Sequence, residues 1–356
     1  MMNPIRSIAI FSVLFFSISN AGSFSYWQQS VDYKMDVVLI DSVRQLACRS
    51  TIIYKNNSPD KLHEIYMHLY PNAFQIGSVK HREYMNDYGR SSRAQYFKDG
   101  LKGYESKIDI RNFTIAKEGS IILLDYKIDD TVLHARLKGP LLPSEELRID
   151  LDWNHHVGGM VERAGFVDGQ YNMAQWYPKM AAYDERGWHA QPFHAEGEFY
   201  GEFGDFDITF ELPERFIIGA SGIVISGDPG WESVRVDTSA DFDEWLLKFE
   251  KTYKKSKKNQ IRKVRFLAED VHDFAWVASP NFLYEYDMSD DTDVHVLYNK
   301  ANAGDWNRVV RQRSVRALKW LTNKFGDYPY PQVTNTDRVK SGGMEYPMII
   351  MDGSDS

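Results

Sequence analysis

Ser341-Gly342-Gly343-Met344-Glu345-Tyr346-Pro347, followed by the apolar run Met348–Met351, is the stretch whose reading decides the fold. Adjacent glycines let a backbone come close to another group, because no Cβ stands in the way. A carboxylate follows at Glu345. Pro347 and the apolar residues after it predict a short edge strand or buried strand. A glycine-backed strand carrying one carboxylate suits an extended peptide. Its backbone pairs with the peptide as an added strand, and the carboxylate takes the charged amino end. Gly158-Gly159-Met160 repeats the glycine pair with Val161 in place of the acid. The pair alone is therefore also a plain turn before a strand, and context carries the weight.

Upstream, Val333–Val339 reads as a strand leading into the motif. Before it, Asn302–Phe325 is predicted as one helix. Trp306, Val310, Ala317, Leu318, Leu321 and Phe325 fall at helical spacing and read as core packing, with Gly326 as a C-terminal cap and Pro329 and Pro331 beyond. Asp293–Tyr298 is one more strand. Earlier still, short strand-like runs follow one another: Asp32–Ile40, Arg44–Tyr54, Glu64–Tyr70, Ile121–Tyr126, Val132–Leu137, Leu147–Trp153, Gly197–Tyr200, Phe206–Leu212, Phe216–Ala220, Val234–Val236 and Val264–Leu267. Gly77–Tyr104 reads as a long surface excursion around a short helix. Many short strands at this spacing predict a mainly β protein built on a β-sandwich or curved sheet. The organisation expected is a leader over 1–21, a β domain over 22–280, and the opening of a mixed α/β domain over 281–356.

Composition is that of a globular protein. Apolar residues make up 43% and charged residues 26%, a globular balance. Nine Trp and 21 Tyr suit pleated surfaces. Arg6, the apolar stretch Ile8–Phe16 and Ser19-Asn20-Ala21 form the pattern of a secretory signal, too short to span a bilayer comfortably. No other stretch is apolar enough to cross a membrane, so none is expected after signal cleavage, and the location expected is secreted or periplasmic. Cys48 is the only cysteine, which excludes an intramolecular disulfide and a multi-thiolate zinc site. A net charge of −8 argues against nucleic acid as a partner. The basic cluster Lys251, Lys254, Lys255, Lys257, Lys258, Arg262 and Lys263 reads as a solvated hairpin loop between two strands.

Four segments in order resemble one family. Phe325-Gly326-Asp327-Tyr328-Pro329-Tyr330-Pro331, a strand, and then Gly342-Gly343-Met344-Glu345 resemble the aminopeptidase-N family of zinc metallopeptidases. Its G-x-M-E-N signature is matched except that Tyr346 stands where the family has Asn. Gln175-Trp176-Tyr177-Pro178-Lys179-Met180, Glu198–Asp207 and Asp273-Phe274-Ala275-Trp276 resemble three earlier landmarks, and the likeness is colinear from about Val31 to Gly353. The resemblance implies a saddle-like N-terminal β-sandwich domain joined to a thermolysin-like catalytic domain. By it, Glu345 would bind the substrate's α-ammonium, Gly342, Gly343 and Met344 would lie along the peptide, and Gln175 and Tyr177 would line the pocket for its first residue. Peptide N-termini are then the expected partner, together with the C-terminal remainder of the same enzyme.

The family's reaction needs zinc, held by H-E-x-x-H and a further carboxylate. The sequence ends at Ser356 with no such motif. His63-Glu64-Ile65-Tyr66-Met67-His68 begins correctly but spaces its histidines five apart. On a helix that is about 140° off one face, and on a strand it places them on opposite faces. His155-His156 diverge as neighbours, and His189 and His194 repeat the five-residue spacing. The ten histidines read as surface or satisfied core. Zinc is thus expected for the full-length family member and none for this chain, which has recognition residues, no catalytic residue and no metal ligand. The alternative is a non-enzymatic extracytoplasmic β-sandwich module that binds peptide or glycan.

Overall fold

A computed structural model of the chain describes residues 26–88, 105–117, 119–253, 260–340 and 342–353, with positions 95, 97, 99 and 101 between the first two segments. The leader expected over 1–21, Ser341 of the glycine motif, and Lys254, Lys255, Lys257 and Lys258 of the basic cluster lie outside the described residues. The architecture is mainly β.

Strand Ser30–Ile40 shows why. Val31, Tyr33, Met35, Val37 and Leu39 are buried and the residues between them are not, so one face is apolar and the other is wet. This strand pairs antiparallel with Gln45–Lys55 and parallel with Gly204–Pro213. Together they centre an eight-stranded sheet that also contains Ile223–Gly227, Ile261–Val271, Glu146–His156, Lys107–Lys117 and Ser120–Leu123. Its apolar face packs on two four-stranded sheets. One comprises Ile217–Ala220, Trp276–Ser279, Gln170–Met173 and Gly165–Val167; the other comprises Lys179–Met180, Leu62–His68, Val132–Leu141 and Tyr126–Asp129. The core between the layers is aromatic. Trp176 lies 5.9 Å from Trp153 and 6.0 Å from Trp276, centroid to centroid, a spacing at which ring edges and faces attract.

A five-stranded sheet follows in sequence. Its order is Phe282–Ser289, Thr292–Asn299, Gln332–Asp337, Ile349–Asp352 and, outermost, Met344–Tyr346. Thr292–Asn299 and Gln332–Asp337 run parallel, so a crossover must join them, and helix Val309–Phe325 is that crossover. One face of this terminal sheet buries Leu297, Tyr346, Ile349 and Met351 against Ile217, Ala275 and Val277 of the sandwich. Gly219 marks the closest approach: a Cβ there would sit 2.5 Å from Leu297 Cδ1. The other face buries Val294, Val296, Tyr298 and Val333 under helical residues.

Several expectations are corrected. The predicted helix Asn302–Phe325 is interrupted, because Arg308 takes φ +59° after Trp306. The buried carboxylate of Glu285 accepts from the Arg308 amide at 2.9 Å and restarts the helix there. Gly197–Tyr200 forms no strand, and Val234–Val236 is replaced by a short 3-10 turn over Trp231–Val234. Of the described residues of the basic cluster, Lys251 lies not before a strand but in helix Phe242–Thr252, whose N-cap Asp241 accepts from Asp243 and Glu244 amides, and Arg262 and Lys263 lie in strand Ile261–Val271. Ile121–Tyr126 is divided between two layers, Ser120–Leu123 in one sheet and Tyr126–Asp129 in another.

Three buried histidines make the fold acid-sensitive. Burial pulls His68 down to about 4, His155 to about 3 and His295 to about 4. Each is neutral when folded and titrates near 6.5 when unfolded. Their contribution is present above pH 6.5 and is lost as the pH falls toward 4. Burial raises Glu202 to about 6; its contribution is complete below 4.5 and is lost as the pH rises through 6. Three groups outweigh one. The urea midpoint is expected to fall between pH 6.5 and 4.5, on the order of 1–3 kcal/mol for each histidine. A midpoint that stays level or rises over that interval would contradict this.

Candidate functional site

Met344–Tyr346 pairs antiparallel with Ile349–Asp352 on one side and with no strand among the described residues on the other. The apolar run expected as a buried or edge strand, Ile349–Asp352, is interior to the sheet, and the open edge is Met344–Tyr346. Pro347 and Met348 close the hairpin. Met348 takes φ +62°, the conformation of the third position in a type II turn, which normally asks for Gly or Asn. Its side chain is buried in the sandwich core, and that burial holds the strained backbone. Val339, at φ +70°, and Gly342, at φ +83°, bend the chain into the strand from the other end. A β-branched residue at positive φ is an outlier, and such strain collects where geometry is held for a purpose.

Side chains alternate across the strand. Met344 and Tyr346 face the sandwich and Glu345 faces away. Met344 lines an open polar cleft with Lys80, Glu162, Arg163, Glu198 and Arg338. Arg163 grips Glu198 with two hydrogen bonds of 2.9 Å and so ties two loops together at the rim of that cleft. Glu345 is exposed and makes no hydrogen bond or ion pair with another described residue. It borders a groove floored by Val333 and Ile350 and walled by Val310, Leu318 and Tyr328. Gly343 stands beside Asp352, whose Oδ1 would be 3.1 Å from a Cβ there.

The structure separates the six residues predicted for the site. Gly342, Gly343, Met344 and Glu345 stay together at the edge. Gln175 and Tyr177 lie behind it, on the Tyr346 side. Tyr177 is wholly buried, so its side chain is not open to a substrate as expected. Its ring packs against Tyr33 and Phe206, and its hydroxyl donates to Asp273 Oδ1 at 3.0 Å. Burial pushes that phenol well above its ordinary range. Gln175 adopts φ +46° and reaches the wall of a narrow cavity between Phe193 and Phe199. Its amide nitrogen donates to Asp273 Oδ2 at 3.0 Å, and its oxygen accepts from the Tyr346 hydroxyl at 3.2 Å. Sequence reasoning missed Tyr346 and Asp273 as members of this group. The signal available was the aromatic hydroxyl at a position where the resembled signature has an amide.

The described residues do not gather a ligand set that fits a zinc ion. Among the described residues no three His, Cys, Asp or Glu side chains converge. His63 and His68 lie on one strand with His63 exposed and His68 buried. His156 sits 3.3 Å from Asp109, while His155 points inward to Ser106 at 2.9 Å. His189 and His194 are engaged separately, by Asp184 at 2.7 Å and Glu83 at 2.6 Å.

An M1 zinc metallopeptidase from Deinococcus radiodurans superposes on 92% of this chain with a TM-score of 0.56 and 12% sequence identity. The fold is that of the M1 zinc metallopeptidases. A mutant of the Deinococcus radiodurans protein bound to a Tyr-Ser-Ala substrate aligns at 11% identity and TM-score 0.56, and a two-domain M1 zinc metallopeptidase mutant bound to L-arginine at 12% and 0.56. Each covers 92% of this chain, and the chain spans 61% of the length of each. No protein-family model and no curated protein sequence matches the chain. The likeness to the aminopeptidase-N family drawn from Gly342-Gly343-Met344-Glu345 thus agrees with the architecture.

Glu345 and Tyr177 should respond oppositely to truncation. Glu345→Ala removes an exposed, unpaired group and should change stability by less than about 0.5 kcal/mol. Tyr177→Phe leaves a buried carboxylate short of a donor and should destabilise by about 1.5–3 kcal/mol. Thermal and urea melts of both variants check this, and equal losses would show that Glu345 is part of the packed structure.

Proposed function

We propose that this chain is the substrate-recognition part of an extracytoplasmic aminopeptidase of the M1 fold. The observation that carries the reading is the open edge of Met344–Tyr346 beside the exposed, unpaired carboxylate of Glu345. A peptide lying along that edge gains main-chain hydrogen bonds as an added strand. Gly342 and Gly343 let it approach, and Met344 borders the cleft on the sandwich side. Glu345 receives the α-ammonium through a charge-assisted hydrogen bond, roughly twice as strong as a neutral one. That choice selects free amino ends over internal positions. Gln175 supports the strand from behind through the Tyr346 hydroxyl, and Tyr177 stands one step further back on Asp273. The Tyr-Ser-Ala substrate bound to a protein of the same fold supports the substrate class. Zinc and the hydrolytic step are assigned to the part of such an enzyme that this chain does not span.

Peptide binding is the direct test. Isothermal calorimetry with a free tripeptide such as Tyr-Ser-Ala and its N-acetylated form should show binding of the first only. Glu345→Ala should weaken it by about tenfold or more, the loss of one charge-assisted contact of roughly 1.5–3 kcal/mol. The same chain with added zinc should not turn over an aminoacyl-coumarin substrate. Equal binding of both peptides, or turnover above blank, would remove the reading; binding of a glycan instead would point to the non-enzymatic module.

The leader pattern over 1–21 places the protein outside the cytoplasm in this proposal. N-terminal sequencing of the protein purified from periplasm or medium should start at Gly22. Recovery of intact Met1 from the cytoplasm alone would refute it.

A further inference from the structure

The segment Asp273-Phe274-Ala275-Trp276 has no part in the peptide site as described, yet its first residue sits at the centre of the group behind the edge strand. Asp273 is 2% exposed. Its Oδ1 accepts from the Tyr177 hydroxyl at 3.0 Å and the Phe274 amide at 2.8 Å; its Oδ2 accepts from Gln175 Nε2 at 3.0 Å and Lys179 Nζ at 3.1 Å. Lys179 is equally buried and also donates to the His272 carbonyl at 2.7 Å. A charge is tolerated at such depth only when paired and fully hydrogen-bonded. Room for the lysine is reserved by Gly201, where a Cβ would stand 2.5 Å from Lys179 Cε.

This arrangement has a direction. An ionised carboxylate only accepts, so Gln175 must turn its NH2 toward Asp273. Its amide oxygen is then left for the far side, where the Tyr346 hydroxyl donates to it at 3.2 Å. Gln175 is held at φ +46° while doing so. Apolar contacts of Tyr346, Ile349 and Met351 bring the terminal sheet onto the sandwich, but such contacts are non-directional and permit a slide. The hydrogen bond at the end of the chain Lys179–Asp273–Gln175–Tyr346 sets one position. Tyr346 is a residue of the edge strand itself, and its neighbour Glu345 faces the open side.

We propose that Asp273 is a positioning residue which, through Gln175 and Tyr346, fixes the edge strand Met344–Tyr346 in the register that a peptide meets. The peptide half of this statement rests on the function proposed above; the anchoring half does not. Asp273 touches no substrate in this scheme. It acts by fixing the orientation of Gln175.

The experiment is hydrogen exchange by mass spectrometry, together with calorimetric titration of Tyr-Ser-Ala, on the full chain and on Tyr346→Phe and Asp273→Asn. Tyr346→Phe removes one hydroxyl and keeps the ring, so it folds even if Asp273→Asn does not. With one hydrogen bond lost, exchange over residues 344–352 should rise about 5–10-fold while that of Ser30–Ile40 stays level. Affinity for Tyr-Ser-Ala should fall by a similar factor, with the preference for the free over the N-acetylated peptide retained because Glu345 is untouched. Unchanged exchange in Tyr346→Phe overturns the proposal, as does faster exchange with unaltered affinity, which leaves a structural contact only. If the unmodified chain binds no peptide, exchange alone decides: a rise upholds the anchor and removes the peptide reading, and no change overturns the anchor.

Discussion

The burial of one face of a three-residue strand is the constraint on which the functional arrangement depends. Met344–Tyr346 can present a free backbone edge only because its Tyr346 side is covered by the sandwich and Glu345 is not. Alternation of side chains makes this an all-or-nothing condition, since a shift of one residue would bury Glu345 and expose Tyr346. Burying an unpaired carboxylate would cost several kcal/mol, far more than the strain at Met348 and Val339. The strained turns at both ends are therefore tolerable, and they hold the strand in its register.

The sandwich has a second task beyond its own stability. Its four-stranded sheet with Trp276–Ser279 and Ile217–Ala220 is the surface onto which the terminal sheet docks. Gly219 sets how closely the two approach. A buried lysine and a buried aspartate stand just behind the edge strand. Breaking such a pair is expensive, about 3–5 kcal/mol, although keeping it need not add net stability. A pair with that profile contributes specificity of arrangement more than strength. Here it orients Gln175, whose oxygen meets a residue 171 positions away in sequence.

The terminal sheet is covered unequally. Helix Val309–Phe325 lies over part of its outer face, with Val310 and Leu318 packed down. Phe325, at 80% exposure, and Leu321 lie open on the same helix. Glu345 borders that uncovered region. Glu345 and the open apolar residues of the helix thus share one side of the terminal sheet.

Strands with unbroken alternation, such as Ser30–Ile40, were legible because a period of two on one face leaves no other reading. Lys107–Lys117 was not: a bulge between Ile110 and Asn112 moves Phe113 and Ile115 out of phase with Ile108 and Ile110. Phe242–Thr252 was overlooked although Phe242, Trp245, Leu246 and Phe249 carry helical spacing behind Asp241. The glycines and the acid that follows them were written locally, in residue type and order. The destination of Gln175 and Tyr177 was not, since a neighbour such as Asp273 is nearly a hundred residues distant and enters only when two sheets stack. Sequence by itself determined a mainly β chain with a glycine-backed strand that carries one carboxylate. Only the tertiary structure decided which face of that strand is covered, because burial is a property of what packs opposite and no local pattern contains the opposite surface.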